Sequence, residues 1–233
     1  MAKLTITLTR EDVEQTLRDR DLVLNDYAAQ EWVLKQTFEK YPFNTDFKVV
    51  LMKVTLLNLF YSTGIRDLKS VAQNIVDKKI DADLTEGKPE VVHRIAQVNH
   101  NGKTINHFSF ATKYCSFHHS DLYPIYDDFV YRVLSKLRGE FTSDHFCPES
   151  IMDKHWKEEN KDCGFNRFRK IYDAFMKRYG EAFAGMSYKE VDNYLWGSRK
   201  IAQLEANDDH INAGNRKIYE KIIENNINKI MNK

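Results

Sequence analysis

Apolar residues recur at steps of three and four along most of this chain, which is the spacing of one face of an α-helix. Little interrupts that spacing, because only nine glycines and four prolines occur among 233 residues. The stretch FKVVLMKVTLLNLFYS, residues 47–62, is apolar nearly all round and predicts a helix buried at the centre of the fold. The sequence therefore predicts an all-α fold.

The N-terminus carries two local signals. Residues 4–8 alternate apolar and polar side chains, which predicts a short strand or an extended arm. Thr9 and Asp12 then stand three apart, as the two members of a capping box do. A helix should therefore begin directly after Thr9.

The dipeptide Asn101–Gly102 is open to two interpretations. Asn-Gly is typical of a two-residue β-hairpin turn. The apolar residues before it nevertheless keep helical spacing, namely Val91, Val92, Ile95 and Val98. On that ground we predict a connection between two helices at this point rather than a hairpin.

Length and charge limit the class of protein. A chain of 233 residues can form one domain of ordinary size or a bilobed one, with a sizeable core. The formal net charge of +1 excludes a strongly basic nucleic-acid binder but leaves room for a local basic face. The N-terminus has no signal-peptide core, and no apolar run approaches the roughly 18 residues of a membrane span. We therefore predict a cytoplasmic protein without a membrane partner.

The cysteines indicate neither a disulfide framework nor a metal site. Their number is odd, and reduced thiols fit the cytosol: Cys115, Cys147 and Cys163. Cys115 precedes His118 and His119 by three and four residues, as metal ligands on one helical turn can. No pair has the tight Cys-x2-Cys spacing of a structural zinc site, so we predict packing roles, no metal and no other cofactor.

One stretch raises a question of chemistry, HFSFATKYCSFHHSDLYPIYDDFVYRVL, residues 107–134. It places Lys113 among bulky apolar residues, and Asp127 follows fourteen residues later. A desolvated lysine can lose its proton and attack carbon, and a nearby carboxylate can orient it. Asp127 also stands just before an apolar helical pattern, where aspartate is a favoured N-cap. Both interpretations remain open on the residues alone.

The segment YPIYDDFVYRVL resembles the one that carries the catalytic aspartate in helix-hairpin-helix DNA glycosylases, with Asp127 in the place of that aspartate. Residues 54–76 are similar to the buried helix, Ser/Thr turn and following helix near the start of that fold. The resemblance covers roughly residues 47–138. It implies a single, two-lobed helical domain over residues 1–233, with a cleft near residues 109–128.

The resemblance also implies an activity and a partner. Glycosylases of this superfamily extrude a damaged or modified base from duplex DNA into a pocket and cleave its glycosidic bond. Asp127 would stabilise the sugar cation, and Lys113 is the candidate nucleophile that would attack C1′ and form a Schiff base. We therefore expect a DNA-repair hydrolase, with lyase activity if Lys113 reacts, that acts on double-stranded DNA.

Three features depart from the pattern of that superfamily. Its Leu-Pro-Gly-Val-Gly hairpin is missing, and the nearest turn is NHNGK, residues 99–103. Its lysine position falls on Ser109, which lies one helical turn before Lys113 and on the same face. Its Gln-rich wedge turn is replaced by residues 60–63, where we expect Tyr61 to fill the gap that an extruded base leaves.

Basic residues interleave with aromatic ones in FNRFRKIYDAFMKRYG, residues 165–180. Arg167, Arg169 and Lys170 are the predicted DNA contacts, because such a stripe can hold phosphates. The alternative is an ordinary amphipathic helix whose inner face lies in a core, formed by Phe168, Ile171, Tyr172 and Phe175.

A second functional hypothesis keeps the fold and drops the chemistry. The chain would then be a non-catalytic module that binds DNA or another protein. The missing hairpin and the near-neutral net charge favour this hypothesis, and a fold does not by itself entail an activity.

Overall fold

The computed structural model of the chain describes residues 8–23, 25–100, 102–131, 133, 134, 151 and 164–205. These residues are mainly helical, as the sequence predicts. The labelled helices are α1 (Arg10–Val23), α2 (Asn25–Lys40), α3 (Phe47–Tyr61), α4 (Leu68–Asp77), α5 (Asp81–Thr85), α6 (Glu90–Ala96), α7 (Phe108–His118), α8 (Phe165–Arg178) and α9 (Tyr188–Glu205). Residues 128–131, 133 and 134 are also helical. The all-α fold class is confirmed.

Helix α1 begins where the capping box predicts. The Thr9 backbone N–H donates to an Asp12 carboxylate oxygen at 3.1 Å, and the Asp12 N–H donates to Thr9 Oγ1 at 3.2 Å. These bonds satisfy two donors that a helix start otherwise leaves open. Of the predicted strand at residues 4–8, only Leu8 lies within the described residues, and it is not in a strand.

The prediction of a helix–helix connection at Asn101–Gly102 is wrong. Helix α6 ends at Ala96, and a two-stranded antiparallel hairpin follows, formed by β1 (Gln97–His100) and β2 (Lys103–Asn106). Gly102 has φ +77°, a left-handed conformation that costs glycine little. Val98 is buried although it lies in a strand, so its burial fits the spacing of a strand as well as that of a helix. The turn chemistry of Asn-Gly therefore outweighed the apolar period.

The described residues divide into two compact units. The first contains residues 8–23, 25–28, 128–131, 133, 134 and 171–205. In it α1 packs against α9, and Gly197 allows the closest approach, because a Cβ there would lie 3.1 Å from Arg20 Cδ.

The second unit contains residues 29–100, 102–127, 151 and 164–170. Helix α3 packs against α4 and α7, and α6 packs against α7. The predicted central burial of α3 holds for one face only, since Met52 and Leu59 are 36% and 67% exposed while Val50, Val54 and Leu57 are buried. One face of α3 therefore anchors the unit and the other meets solvent.

A late segment of the chain completes this second unit. The backbone N–H of Phe165 donates to His93 Nε2 at 2.9 Å, and a Cβ on Gly164 would lie only 2.2 Å from that nitrogen. Arg169 donates to the carbonyl of Gly87 at 2.7 Å and lies 3.5 Å from that of Leu122. Residues 164–170 are thus fixed to α6 and to two turns that precede them by 47 to 82 positions.

Within the described part of the chain, none of the helices combines the length and the apolar character that crossing a membrane requires.

Candidate functional site

Helix α7 carries Lys113 into the interior of the second unit. Its side chain is 5% exposed. The ammonium Nζ donates to Ser109 Oγ at 2.8 Å, one turn earlier on the helix, and lies 3.4 Å from the carbonyl oxygen of Tyr126. Ser109, the position at which the glycosylase pattern expects its lysine, is therefore a direct partner of the lysine that is present.

The segment before Asp127 is fixed to the same helix. The Tyr126 N–H donates to Thr112 Oγ1 at 3.1 Å, and Ser109 Oγ donates to the Tyr126 carbonyl at 3.0 Å. The Tyr126 ring meets that of Phe108 edge-on at 5.3 Å. Two hydroxyls and an ammonium of α7 thus hold the peptide groups of Tyr126, the residue that directly precedes Asp127.

Tyr123, which precedes the proline of that segment, anchors its other end. Its hydroxyl lies 3.1–3.3 Å from three carbonyl oxygens in α5 or shortly after it, those of Asp83, Leu84 and Lys88. Burial raises the pKa of this phenol. The turn between Tyr123 and Asp127 is therefore held at both ends, which restricts where the Asp127 carboxylate can move.

Tyr61 covers the lysine. It is the last residue of α3, and its ring centroid lies 5.7 Å from Lys113 Nζ and 5.8 Å from the ring of Phe117. An aromatic face at this distance attracts a cation. The structure thus places Tyr61 beside Lys113 as part of one cluster with Ser109 and Tyr126.

Asp127 is half-buried and stands directly before the helical residues that begin at 128. That is the N-cap position, so the capping interpretation keeps its basis. The backbone bonds of Tyr126 at the same time bring the chain beside Lys113 immediately before Asp127. Lys113 and Asp127 therefore flank one fixed peptide group.

The three predicted DNA contacts on α8 do not share one environment. Arg167 and Lys170 are exposed, whereas Arg169 is half-buried and bonded to the carbonyl of Gly87. The inner face of the helix is apolar as the amphipathic alternative predicts, with Phe168, Ile171, Tyr172 and Phe175 all buried. Arg169 is therefore a packing residue here, and Arg167 and Lys170 remain as outward-facing candidates.

A second buried lysine was missed by sequence reasoning. Lys53 lies on the inner face of α3 with 0% of its surface exposed. Its Nζ donates to the carbonyl of Phe43 at 3.2 Å and to Asn44 Oδ1 at 3.1 Å, and it lies 3.4 Å from His118 Nε2. The available signal was a lysine in the middle of a largely apolar helix.

Asn44 joins this lysine to a carboxylate. Its backbone N–H lies 3.1 Å from Asp81 Oδ2, and its side-chain Nδ2 donates to Asp81 Oδ1 at 2.7 Å. Its Oδ1 accepts from the Tyr114 hydroxyl at 2.5 Å as well as from Lys53. Four segments of the second unit thus converge on one buried amide.

The electrostatics of this cluster follow from burial. Desolvation, opposed by the nearby Asp81 charge, lowers the pKa of Lys53 to about 8. Burial, and then the charge of Lys53, holds the pKa of His118 well below its ordinary range. Burial raises the pKa of the Tyr114 phenol well above its ordinary range. At neutral pH His118 is therefore neutral and Tyr114 is protonated.

The residues considered as metal ligands have different environments. Cys115 is buried, and burial raises the pKa of its thiol well above the ordinary range, while His118 belongs to the Lys53 cluster. The other two cysteines, Cys147 and Cys163, are outside the described residues. In the part of the chain that is described, no group of three or more His, Cys, Asp or Glu side chains is placed to hold a metal ion.

Comparison with known proteins assigns the chain to a family. Residues 10–122 match the family model HI_0787_N, described as an N-terminal domain. A Haemophilus influenzae protein (strain ATCC 51907 / DSM 11121 / KW20 / Rd) that bears the name "Uncharacterized protein" is 30% identical over 190 residues. The alignment covers 79% of this chain and 81% of the relative. The chain therefore belongs to the same family as the Haemophilus influenzae protein. No solved structure matches.

The family-model match includes both buried lysines and ends five residues before Asp127. The names of the family and of the relative assign no activity, so the functional argument rests on the geometry around Lys113.

Proposed function

We propose that the protein is a DNA glycosylase that excises a damaged or modified base, with Asp127 and Lys113 at its centre. One observation carries the proposal: Lys113 Nζ is buried 3.4 Å from the carbonyl of Tyr126, the residue directly before Asp127. An amine and a carboxylate flanking one fixed peptide group are the two groups that this reaction uses. The resemblance of the YPIYD segment to the superfamily supports the same assignment.

The reaction gives each group a task. Asp127 stabilises the cationic sugar as the glycosidic bond breaks and the base leaves with the bonding electrons. Lys113 in its neutral form attacks C1′ and loses a proton, and cleavage of the C1′–O4′ bond then opens the sugar ring and gives a Schiff base. Lys113 is 5% exposed, and the Tyr61 ring beside it limits the access of water to the amine.

Covalent trapping tests the proposal directly. Borohydride would be added to the protein on duplex DNA that carries an abasic site or one of several damaged bases. We expect a covalent adduct with the wild-type protein and none with Lys113→Gln. Lys53→Met is the matched control, because it removes the other buried lysine of the same unit and should leave the adduct.

The trapping result can contradict the proposal in two ways. An adduct that survives Lys113→Gln, in a variant with a wild-type circular dichroism spectrum, would place the nucleophile elsewhere. An absence of both adduct and base release from the folded wild-type protein would leave the chemistry without support.

A non-catalytic DNA-binding module is the second candidate function. The observation that favours it is the hairpin of β1 and β2, which stands between α6 and α7 where the glycosylase pattern has its helical hairpin. The Ser109 hydroxyl and the Tyr126 carbonyl are also suitable acceptors for a protonated ammonium that has no role in catalysis. Duplex affinity that falls with salt, without release of any base, would support this candidate.

Substitutions at two arginines on α8 distinguish a role in DNA contact from a role in packing. Arg167→Ala should lower duplex affinity and reduce the slope of log affinity against log salt by about 1, because an exposed phosphate contact is lost. Arg169→Ala should leave that slope unchanged and lower the free energy of unfolding by about 1–2 kcal/mol, because its bond to the Gly87 carbonyl is lost. Salt titrations and urea unfolding of both variants check this, and identical effects would contradict it.

A further inference from the structure

A pocket of about 200 Å³ opens where the ends of α2 and α7 meet α5. Phenyl rings form its apolar walls, from Phe38, Phe43 and Phe117. Glu39 and Asp81 contribute carboxylates, and His118 contributes an imidazole. Lys113 and Asp127 do not line it, so it is a different site from the proposed glycosylase centre.

We propose that this pocket binds a small organic monocation with a flat or compact apolar body. The ligand would place its apolar body between the phenyl rings and its N–H donors against the Asp81 carboxylate. This function is additional to base excision and does not depend on it.

The charge of the walls argues for a cation. Asp81 and Glu39 bring two negative charges, and His118 is neutral because burial and the nearby Lys53 hold its pKa well below the ordinary range. Lys53 does not line the pocket, but it lies behind the wall, 3.4 Å from His118 Nε2. Lys35 lies 3.9 Å from Glu39 Oε1, but both side chains are mostly exposed, so water screens this pair and it offsets the Glu39 charge only weakly. His119 also lines the pocket, and burial lowers its pKa, so it adds no positive charge at neutral pH. With Lys53 set against Asp81, the pocket mouth keeps an excess of negative charge that a single positive charge on the ligand balances.

The Asp81 carboxylate is fixed before a ligand arrives. Asn44 holds it from one side through its backbone N–H and its side-chain amide. A carboxylate has about four acceptor positions, so part of its capacity remains for a ligand on the pocket side. A positioned acceptor costs little ordering entropy on binding.

The aromatic walls argue for an apolar body on that cation. The Phe38 ring stands 5.5 Å from that of Phe117 and 4.8 Å from the imidazole of His118. Phe43 is 68% exposed, although it lines the pocket mouth. Aromatic faces attract cations, and a ligand at the mouth would cover the exposed ring. The volume equals that of about seven water molecules at roughly 30 Å³ each, so the ligand is small.

Three isosteric probes test the proposal. Benzamidine is a flat monocation, benzamide is its neutral counterpart and benzoate its anionic one, all with the same ring and the same number of non-hydrogen atoms. We expect calorimetry of the full chain at neutral pH to show benzamidine binding about tenfold tighter than benzamide or more, with no binding of benzoate.

Variants of exposed residues locate the site without risk to the fold. Phe43→Ala and Glu39→Gln should each weaken benzamidine binding about threefold or more. Trp32→Ala is the matched control, because Trp32 is an exposed aromatic on α2 that does not line the pocket. Lys113→Gln should leave benzamidine affinity unchanged, which separates this site from the proposed excision chemistry.

Several results would overturn the proposal. Equal affinity for the three probes would remove the charge argument, and absence of benzamidine binding would remove the site. Unchanged affinity in Phe43→Ala, or a loss in Trp32→Ala as large as in Phe43→Ala, would place the cation elsewhere.

Discussion

Among the described residues of the second unit two lysines are buried, and they differ in what surrounds the amine. Lys53 is closed in by a side-chain network that ends at Asp81, and none of its surface is exposed. Lys113 lies under one tyrosine ring, and its partners are a serine hydroxyl and the carbonyl of Tyr126. Both amines are buried, but their acidic neighbours differ in position: Asn44 joins Lys53 to Asp81, whereas Asp127 directly follows the residue whose carbonyl lies beside Lys113.

Burial of a lysine is therefore a poor guide to catalysis by itself. A buried amine with fixed side-chain acceptors on several sides is a structural element whose removal disturbs the fold. A buried amine beside a carboxylate that solvent and substrate can reach has the geometry of a reactive pair. Substitutions at the two lysine clusters should accordingly differ in kind, with effects on activity at one and on stability at the other.

The largest effect is expected at Asp127. Asp127→Asn should lower the rate of base excision by about 10³-fold, because the negative charge that stabilises the sugar cation is lost. Asparagine is as good an N-cap as aspartate, so the free energy of unfolding should stay close to that of the wild type. Single-turnover excision assays and urea unfolding measure the two quantities.

Asp128→Asn is the matched control for that substitution, since it removes the same charge one residue later. It should leave the excision rate unchanged. An Asp127→Asn variant with full activity would mean that Asp127 is a helix cap and no more.

At the Lys53 cluster the expected effect is on stability. Asn44→Ala should lower the free energy of unfolding by about 2–4 kcal/mol, because it leaves Lys53, Asp81 and Tyr114 without the amide that joins them. Excision should persist in the fraction that remains folded. Urea unfolding of the variant gives the number, and a change below about 1 kcal/mol would contradict a central role for the amide.

The pH dependence of stability separates the two lysines further. Burial lowers the pKa of Lys53 to about 8 from 10.5, so between these values the unfolded chain binds the proton and the folded chain does not. Stability relative to Lys53→Met should therefore rise with pH across this window, by about 3 kcal/mol in total. Urea unfolding of both proteins across the window checks this. A difference that is flat or falls with pH would contradict the lowered pKa.

The smallest effect is expected at Ser109. Ser109→Ala removes the bonds to Lys113 Nζ and to the Tyr126 carbonyl, which should cost about 1 kcal/mol and slow covalent trapping. Ser116→Ala on the same helix is the control: among the described residues its buried Oγ has no hydrogen-bond partner, so its removal should cost nothing. Equal losses in the two variants would mean that the Ser109 bonds have no special value.

The sequence predicted those parts of this arrangement that depend on local spacing. The helix start at Thr9 and the apolar inner face of α8 follow from residues three and four apart. The Lys53 cluster does not, because Asn44 and Asp81 lie nine residues before and 28 residues after the lysine, on a loop and on another helix. Only tertiary packing brings them together, and a lysine in the middle of a largely apolar helix was the one sign of the cluster in the sequence.

The hairpin after α6 was predicted wrongly for a different reason. Val98 fits an apolar period of either kind, so spacing could not distinguish strand from helix there. The dipeptide Asn101–Gly102 distinguishes the two, because Asn-Gly is typical of a hairpin turn.

The bond from Phe165 N–H to His93 Nε2 has a consequence for how the chain can be divided. The family-model match ends at residue 122, and a fragment cut there would keep His93 and Phe108 but lose the segment that covers them. It would also lose Arg169, whose guanidinium donates a hydrogen bond to the carbonyl of Gly87. A boundary drawn from sequence similarity thus falls inside one compact unit of the structure. Expression of this protein in pieces should retain residues 164–170 with everything that precedes them.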